Sequence, residues 1–328
     1  MNQIKLIQIE PTTRCNFTCA FCSGRHMKQM DLDFNTYKAI IDQIAGIECI
    51  ELQGEGEPFL HPQLFDMIQY ARNKNIQVCI ISNGSLLTAN NVDKIIDSGL
   101  HSLNISIETL SPEDFKKIRG GNLDKILEGI KLLMEKKKER GLEIPVVGFS
   151  VTILKSTASQ LDNIFELYQE LELDGGIAIQ FLNESKEYSK YYTEKESREY
   201  LTKQEQLLLR RNYYRWQRII HVNPTIEHFF TKMEQYMKLN GGKTGYCVWL
   251  ENALFINCQG YATSCVYIKD GEHLTLGHIE QDGIEKILET RRKVREKISN
   301  CELTSSCSYT NCEVVKKIKD HMNDKEKW

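Results

Sequence analysis

No run of 18 apolar residues occurs in the 328-residue chain, so it offers no segment able to cross a bilayer as a helix. An excess of one charge sign is missing too. The 42 Lys and Arg against 45 Asp and Glu leave a net charge of −3, too small to steer the protein toward nucleic acid, an anionic membrane or an acidic substrate. The segment from Met1 to Glu10 is too short and too polar for a signal peptide and is expected to form a first strand. With 41% apolar and 27% charged residues, the composition excludes a disordered or collagen-like chain. These features predict a cytoplasmic globular protein with neither a membrane nor a nucleic-acid partner. At about 150 residues per domain, the length predicts two domains or one large domain with an appendage.

What the chain has in plenty is cysteine, 11 in all. Thiols stay reduced in the cytosol, so clustered cysteines there point to metal or catalysis before disulfides. Cys49 and Cys79 lie in strand-like apolar runs and read as small buried hydrophobes. Cys15, Cys19, Cys22, Cys247, Cys258, Cys265, Cys301, Cys307 and Cys312 lie in polar segments containing Gly and Asn, where a thiol gains little from burial. Those nine need a chemical explanation.

Strand-like runs at Leu6–Glu10, Cys49–Leu52, Gln77–Ser82, Ser102–Ile107, Val146–Ile153 and Ile177–Leu182 alternate with helical patterns. The clearest helix runs from Leu123 to Lys138 behind an Asn122 N-cap; Ser111 caps a shorter one, and Ser156 to Leu171 repeats the pattern. Alternation of this kind implies parallel βαβ units with helices on one face. Six units fall short of a closed eight-stranded barrel. The fold class is therefore α/β, a partial (β/α)6 barrel with a small C-terminal cysteine-rich α+β domain. The boundaries expected are 1–183 for the barrel, 184–240 for a helical linker or lid, and 241–328 for the second domain.

After the first strand come Cys15, Cys19 and Cys22, spaced C-x3-C-x2-C. Three such thiolates can wrap one corner of a cubane iron–sulfur cluster and bind three irons, leaving the fourth open to a chelating ligand. The competing reading is a zinc site with His26 as a further ligand.

With Phe21 just before its last cysteine, this loop resembles that of the radical S-adenosylmethionine (radical SAM) superfamily. The resemblance covers residues 1 to about 182. It implies a 4Fe–4S cluster on Cys15, Cys19 and Cys22 that binds S-adenosylmethionine and cleaves it to a 5′-deoxyadenosyl radical. Gln53 to Pro58 resembles the family's Gly-Gly-Glu-Pro motif, with Glu55 where that motif has its first glycine, leaving Gly56 and Glu57 as the matching positions. Asn83 matches the Thr-Asn-Gly turn, Ser106 and Glu108 the Ser-x-Asp segment, Arg119 the Arg-Gly stretch, and Ser150 a polar position in the fifth strand. The family implies cofactor contacts for these residues and for Phe21. Most of them fall at or just beyond a strand's C-terminal end, the rim where βα barrels gather their chemistry.

In the tail, Leu254 to Asn257, a Gly260 turn and Tyr261 to Ser264 form a hairpin signal that would bring Cys247 and Cys265 to one end. The Cys247…Gly260…Cys265 spacing resembles the opening of SPASM and twitch extensions, which carry auxiliary 4Fe–4S clusters. Six cysteines without a CxxC pair point to one auxiliary cluster on Cys247, Cys265, Cys307 and Cys312, with Cys301 for Cys307 as the open alternative. Cys258 has three readings: a spare ligand, a thiol that hands a hydrogen atom to a product radical, or a plain hairpin residue. A zinc ribbon is the competing reading for the whole tail.

The resemblance implies how a radical is made and leaves open what it attacks. One hypothesis is modification of a ribosomally made peptide by crosslinking, thioether formation, epimerisation or oxidation, with a separate peptide-recognition protein as a further partner. Another is oxidation or decarboxylation of a small aminocyclitol or sugar. A third is a metal-binding module without catalysis. An enzyme of this kind also needs an external one-electron reductant of flavodoxin or ferredoxin type.

Overall fold

The computed structural model describes residues 4–220, 246–269, 274–304, 307, 312, 315, 316, 318 and 319. Six parallel strands form the first sheet segment: β1 (Leu6–Ile9), β2 (Cys49–Leu52), β3 (Gln77–Ser82), β4 (Ser102–Ser106), β5 (Val146–Ile153) and β6 (Ile177–Phe181). Between them run α1 (Phe34–Gln43), α2 (Leu64–Arg72), α3 (Ala89–Ser98), α4 (Pro112–Arg119), α5 (Leu123–Glu139) and α6 (Leu161–Glu170). Each strand lies within one residue of its expected span. Asn122 and Ser111 cap α5 and α4, their side chains accepting hydrogen bonds from the Lys125 and Asp114 N–H groups. The helix expected from Ser156 begins instead at Leu161, after a 3-10 turn over Ala158–Gln160. There Gln160 reaches across to accept a hydrogen bond from the Thr109 hydroxyl at 2.6 Å.

Alternation along the strands gives the sheet two unlike faces. Ile7, Ile9, Ile50, Leu52, Val78, Ile80, Leu103, Ile105, Val147 and Phe149 pack beneath the helices in the main core. The opposite face carries polar residues beside a small apolar cluster of Leu6, Cys49, Cys79 and Ala253. Gln8 pairs in register with Glu51, Glu51 with Cys79, Cys79 with Ser102, and Ser106 with Ser150. Burial on both faces of a parallel sheet normally favours apolar residues on both. A polar inner face is the departure that marks a ligand-bearing lumen.

The tail does not form a sheet of its own. Its hairpin strands β7 (Ala253–Ile256) and β8 (Tyr261–Thr263), with β9 (Thr275–His278), continue the same sheet in the order β6-β5-β4-β3-β2-β1-β7-β8-β9. β7 runs parallel to β1, with Leu6 opposite Ala253 and Ile9 opposite Ile256. The described part of 184–240 is helical, as α7 (Lys186–Ser189), α8 (Glu194–Ser197) and α9 (Lys203–Trp216); residues 221–240 lie outside the described residues. In the tail, α10 (Val248–Glu251) precedes the hairpin and α11 (Gly283–Ser299) follows it. No described helix is long and apolar enough to cross a membrane.

Glu51 sits in this inner face, buried, with Oε2 lacking a hydrogen-bond partner. Burial, and then the neighbouring Cys79, push its carboxyl well above the usual 4.5. The fold therefore favours the protonated acid, and this stability is present below about pH 4.5 and lost as pH rises through the raised folded value. Glu51→Gln, neutral at every pH, should exceed wild type in stability at pH 8 by on the order of 1 kcal/mol. The urea midpoints of the two proteins should converge as pH falls toward 4.5.

Candidate functional site

The three-cysteine loop is held from both sides. Beneath it, the N–H groups of Thr18 and Ala20 donate to the carbonyls of Arg119 (3.0 Å) and Ile118 (2.8 Å) at the end of α4. Gly120 ends that helix at φ +78°, and a Cβ there would stand 2.4 Å from the Thr18 hydroxyl. A Cβ on Gly56 would lie 2.3 Å from the Thr12 carbonyl oxygen and 2.6 Å from that of Arg14. Only glycine permits these two close approaches. At the loop's base Asp31 accepts hydrogen bonds from the Thr12 hydroxyl (2.6 Å) and Arg14 Nε (2.9 Å).

The thiols themselves receive donors. The Gly24 N–H lies 3.2 Å from Cys22 Sγ, the Phe17 N–H 3.5 Å from Cys15 Sγ, and Arg119 Nη1 3.7 Å from Cys19 Sγ. Burial raises the pKa of all three thiols. Nearby carboxylates raise them further, and Cys15 and Cys19 each act on a neighbouring thiol. A set that is costly to ionise alone and already furnished with N–H donors fits a cationic iron–sulfur group that takes thiolates. His26, the alternative ligand, stacks flat on Tyr191 with ring centroids 4.1 Å apart. Among the described residues no three His, Cys, Asp or Glu side chains converge on a single metal ion.

Around this loop the rim residues divide into two kinds. Glu57 is 1% exposed and fully engaged. Its Oε1 accepts from the Ser82 hydroxyl (2.8 Å) and the Phe59 N–H (3.2 Å), and its Oε2 from the Asn83 N–H (2.7 Å). The Asn83 side chain then donates to Asn16 Oδ1 at 2.9 Å and approaches Cys15 Sγ at 3.9 Å. Glu108 and Arg119, read from sequence as two separate cofactor contacts, form a buried two-point ion pair with each other. Arg119 Nη2 donates to Glu108 Oε1 at 2.5 Å, and its Nε donates to Oε2. The Glu108 side chain has no exposed surface, so it holds Arg119 in place rather than facing a ligand.

The second kind is less engaged. Ser106 and Ser150 stand side by side in register and partly exposed, Ser106 at the end of β4 and Ser150 near the middle of β5. Two residues back on β4, Asn104 Oδ1 is buried without a hydrogen-bond partner. Phe21 borders a cavity of about 200 Å³ whose wall includes Ala20, Ile118, Leu154, Thr157 and Leu182. Leu154 and Leu182, just past the ends of β5 and β6, went unnoticed in the sequence; their place after a strand end was the available signal.

Glu55 was noted only as a departure from the motif, yet it anchors a buried network. Its carboxylate accepts hydrogen bonds from the Tyr188 hydroxyl, from the Ser23 hydroxyl at 3.0 Å, and from Lys269 Nζ at 2.9 Å. Burial raises the Glu55 pKa, but the Lys269 charge and these hydrogen bonds outweigh it and leave it lowered. Glu10 lies alongside, accepting the Glu55 N–H at 2.9 Å and the Cys258 N–H at 3.2 Å. The Cys258 thiol is pushed up by burial and by Glu10.

In the tail, Cys247, Cys265, Cys307 and Cys312 lie close enough to act on one another's titration. Burial is the leading cause, pushing Cys247 up to about 12 and Cys265 well above its usual value. Cys301 follows α11 in the left-handed region at φ +60° and packs, as Cys247 and Cys307 do, against an apolar cluster with Leu250 and Ile298.

Comparison with known proteins agrees with this geometry. The family model described as Radical SAM superfamily matches residues 9–168, and that for the SPASM iron–sulfur cluster-binding domain matches 247–313. The chain belongs to the radical SAM superfamily. Its radical SAM domain implies a 4Fe–4S cluster and S-adenosylmethionine, and its SPASM domain implies auxiliary iron–sulfur binding. It is 30% identical over 176 residues to AdoMet-dependent heme synthase of Methanosarcina barkeri, covering 52% of this chain and 48% of that protein. It is 24% identical over 308 residues to GTP 3′,8-cyclase of Aliarcobacter butzleri, covering 89% of each. The chain spans 48 to 64% of the length of the first curated relatives that it matches. Among solved structures, Streptococcus suis SuiB bound to S-adenosylmethionine superposes with a TM-score of 0.69 at 16% identity, over 97% of this chain and 72% of that one. Native anSMEcpe with bound AdoMet gives 0.67 at 14% identity, over 98% and 97%.

The Glu108–Arg119 pair carries a stability prediction. Glu108→Ala leaves a buried guanidinium without its counter-charge and should cost about 3 kcal/mol. Replacing both residues by apolar ones should recover much of that loss, as read from urea unfolding of the four proteins in a double-mutant cycle.

Proposed function

We propose that this radical SAM enzyme modifies a ribosomally made peptide. The observation that carries the reading is likeness of fold across both domains to two structures with peptides bound. One is SuiB with its precursor peptide SuiA, at TM-score 0.70, and the other is anSMEcpe with the Cp18Cys peptide, at 0.65. The small-molecule reading rests on the cyclase relative, which matches 89% of this chain.

In this reading Cys15, Cys19 and Cys22 hold the cluster with one iron left for S-adenosylmethionine. When bound, these groups supply a 5′-deoxyadenosyl radical that abstracts a substrate hydrogen atom. The chain's own part is placement. Glu57 ties the Gly56 loop to the Asn83 turn, so the backbone of 54–56 stands fixed as the cofactor's amino-acid cradle. Ser106 and Ser150 offer adjacent hydroxyls to a ribose. Phe21, Leu154 and Leu182 form the apolar part of a cavity whose other wall carries Asp114, Lys117 and Glu199, and Arg119, fixed by Glu108, places positive charge beside Cys19. Cys247, Cys265, Cys307 and Cys312 would hold one auxiliary cluster, which when bound would supply an electron acceptor. A flavodoxin- or ferredoxin-type protein is the external reductant, and a separate recognition protein is a further partner for the peptide.

The test is anaerobic reconstitution with dithionite. Wild type should hold about eight irons and the Cys15/Cys19/Cys22→Ala triple variant about four. The triple variant should form no 5′-deoxyadenosine; undiminished cleavage there would overturn the assignment. Cys265→Ala should keep some cleavage of S-adenosylmethionine while product formation stops, provided that gel filtration finds it folded and monodisperse. A candidate precursor peptide encoded beside the gene should then change in mass, or for epimerisation take up solvent deuterium, only with wild type.

A further inference from the structure

Three segments meet at the Glu55 carboxylate. Oε2 stands 3.5 Å from Cys22 Sγ and bonds Ser23 in the three-cysteine loop. Oε1 bonds Tyr188, just past the last barrel strand. On that same oxygen, at 2.9 Å, sits Nζ of Lys269 from the C-terminal domain. Both side chains of this ion pair are only 8% exposed, so solvent screens them little. Lys269 is held there further by the faces of Phe255, 4.9 Å from its nitrogen, and Tyr188, 5.8 Å away.

The placement is odd for stability alone. A carboxylate beside a thiolate is repulsive, and a glycine, as in the family motif, would avoid the repulsion. Here the C-terminal domain supplies the compensating charge from a position four residues beyond Cys265.

We propose that the Glu55–Lys269 ion pair sets the reduction potential of the radical-generating cluster, with Lys269 cancelling the negative charge that Glu55 brings to Cys22. The inference rests on the reading that Cys22 is a cluster ligand. Reduction adds one electron from the external donor protein. A bare carboxylate near a ligand sulfur opposes that electron, and a bare ammonium favours it. Lys269 belongs to the C-terminal domain, so that domain's charge is felt at the first cluster.

The experiment is a redox titration of reconstituted full-length enzyme, following by electron paramagnetic resonance the reduced signal that changes when S-adenosylmethionine is added. Lys269→Met should move the midpoint to more negative potential and Glu55→Gln to more positive potential. The double variant should return close to wild type, and Lys269→Arg, which keeps the charge, should not shift. No shift in either single variant, shifts of one sign in both, or Lys269→Arg behaving as Lys269→Met would overturn the proposal. If Lys269→Met fails to fold, Glu55→Gln and Lys269→Arg decide it alone. Failure of the parent reading looks different: Cys22→Ala would retain the wild-type signal and its response to S-adenosylmethionine.

Discussion

Arg119 carries more of the site than any other side chain. Its carbonyl supports the three-cysteine loop from below, and its guanidinium lies 3.7 Å from Cys19 Sγ and 5.8 Å from the centre of the Phe21 ring. A guanidinium buried to this extent is tolerable only with a matched partner, and Glu108 supplies one with both oxygens. The two residues frame α4, so the ion pair also fixes where that helix ends and where Gly120 turns. Loop, helix end and positive charge thus share one constraint. Lysine would not serve, because it cannot present a planar fork to the carboxylate while still facing sulfur.

The polar inner face of the sheet follows from the same logic. Parallel strands covered by helices tend toward apolar residues on both sides, yet here Gln8, Glu51, Ser102, Asn104, Ser106 and Ser150 fill one side. Each polar group kept from water must find a partner or remain a cost. Glu57 resolves this by binding three donors, whereas Glu51 and Asn104 do not resolve it, each keeping one unpartnered oxygen. The satisfied group locks loops together; the unsatisfied ones remain a cost that the fold bears.

The strand spans, the Asn122 and Ser111 caps, the hairpin around Gly260 and the three-cysteine loop were legible because each depends on residues close in sequence. Periodicity, cap chemistry and cysteine spacing are local. The Glu108–Arg119 pairing was not legible as a pair. A motif match assigns each residue a role toward a ligand and says nothing of whether two such residues satisfy each other. Nor was the continuation of the barrel sheet into the tail, since the β1–β7 pairing joins residues about 250 positions apart. Glu55 stood out only as a motif departure, because its partners Tyr188 and Lys269 carry no pattern of their own.

That long-range pairing gives the architecture its unity. β7 lies on β1, and β1 leads directly into Pro11 and the cysteine loop, while β7 leads into Asn257 and Cys258. Both strands end at the same rim, so the C-terminal domain is carried by the backbone that carries the radical-generating loop. Glu10 stands at the end of β1 and receives the N–H groups of Glu55 and Cys258, one from each domain. A tail attached only by a linker would leave the distance between its thiolates and the barrel mouth free to vary. The shared sheet fixes that distance. The segments that border this frame are α7 to α9 and the loop bearing Lys269. In such a frame the chemistry of radical formation can stay constant while those bordering segments change the substrate.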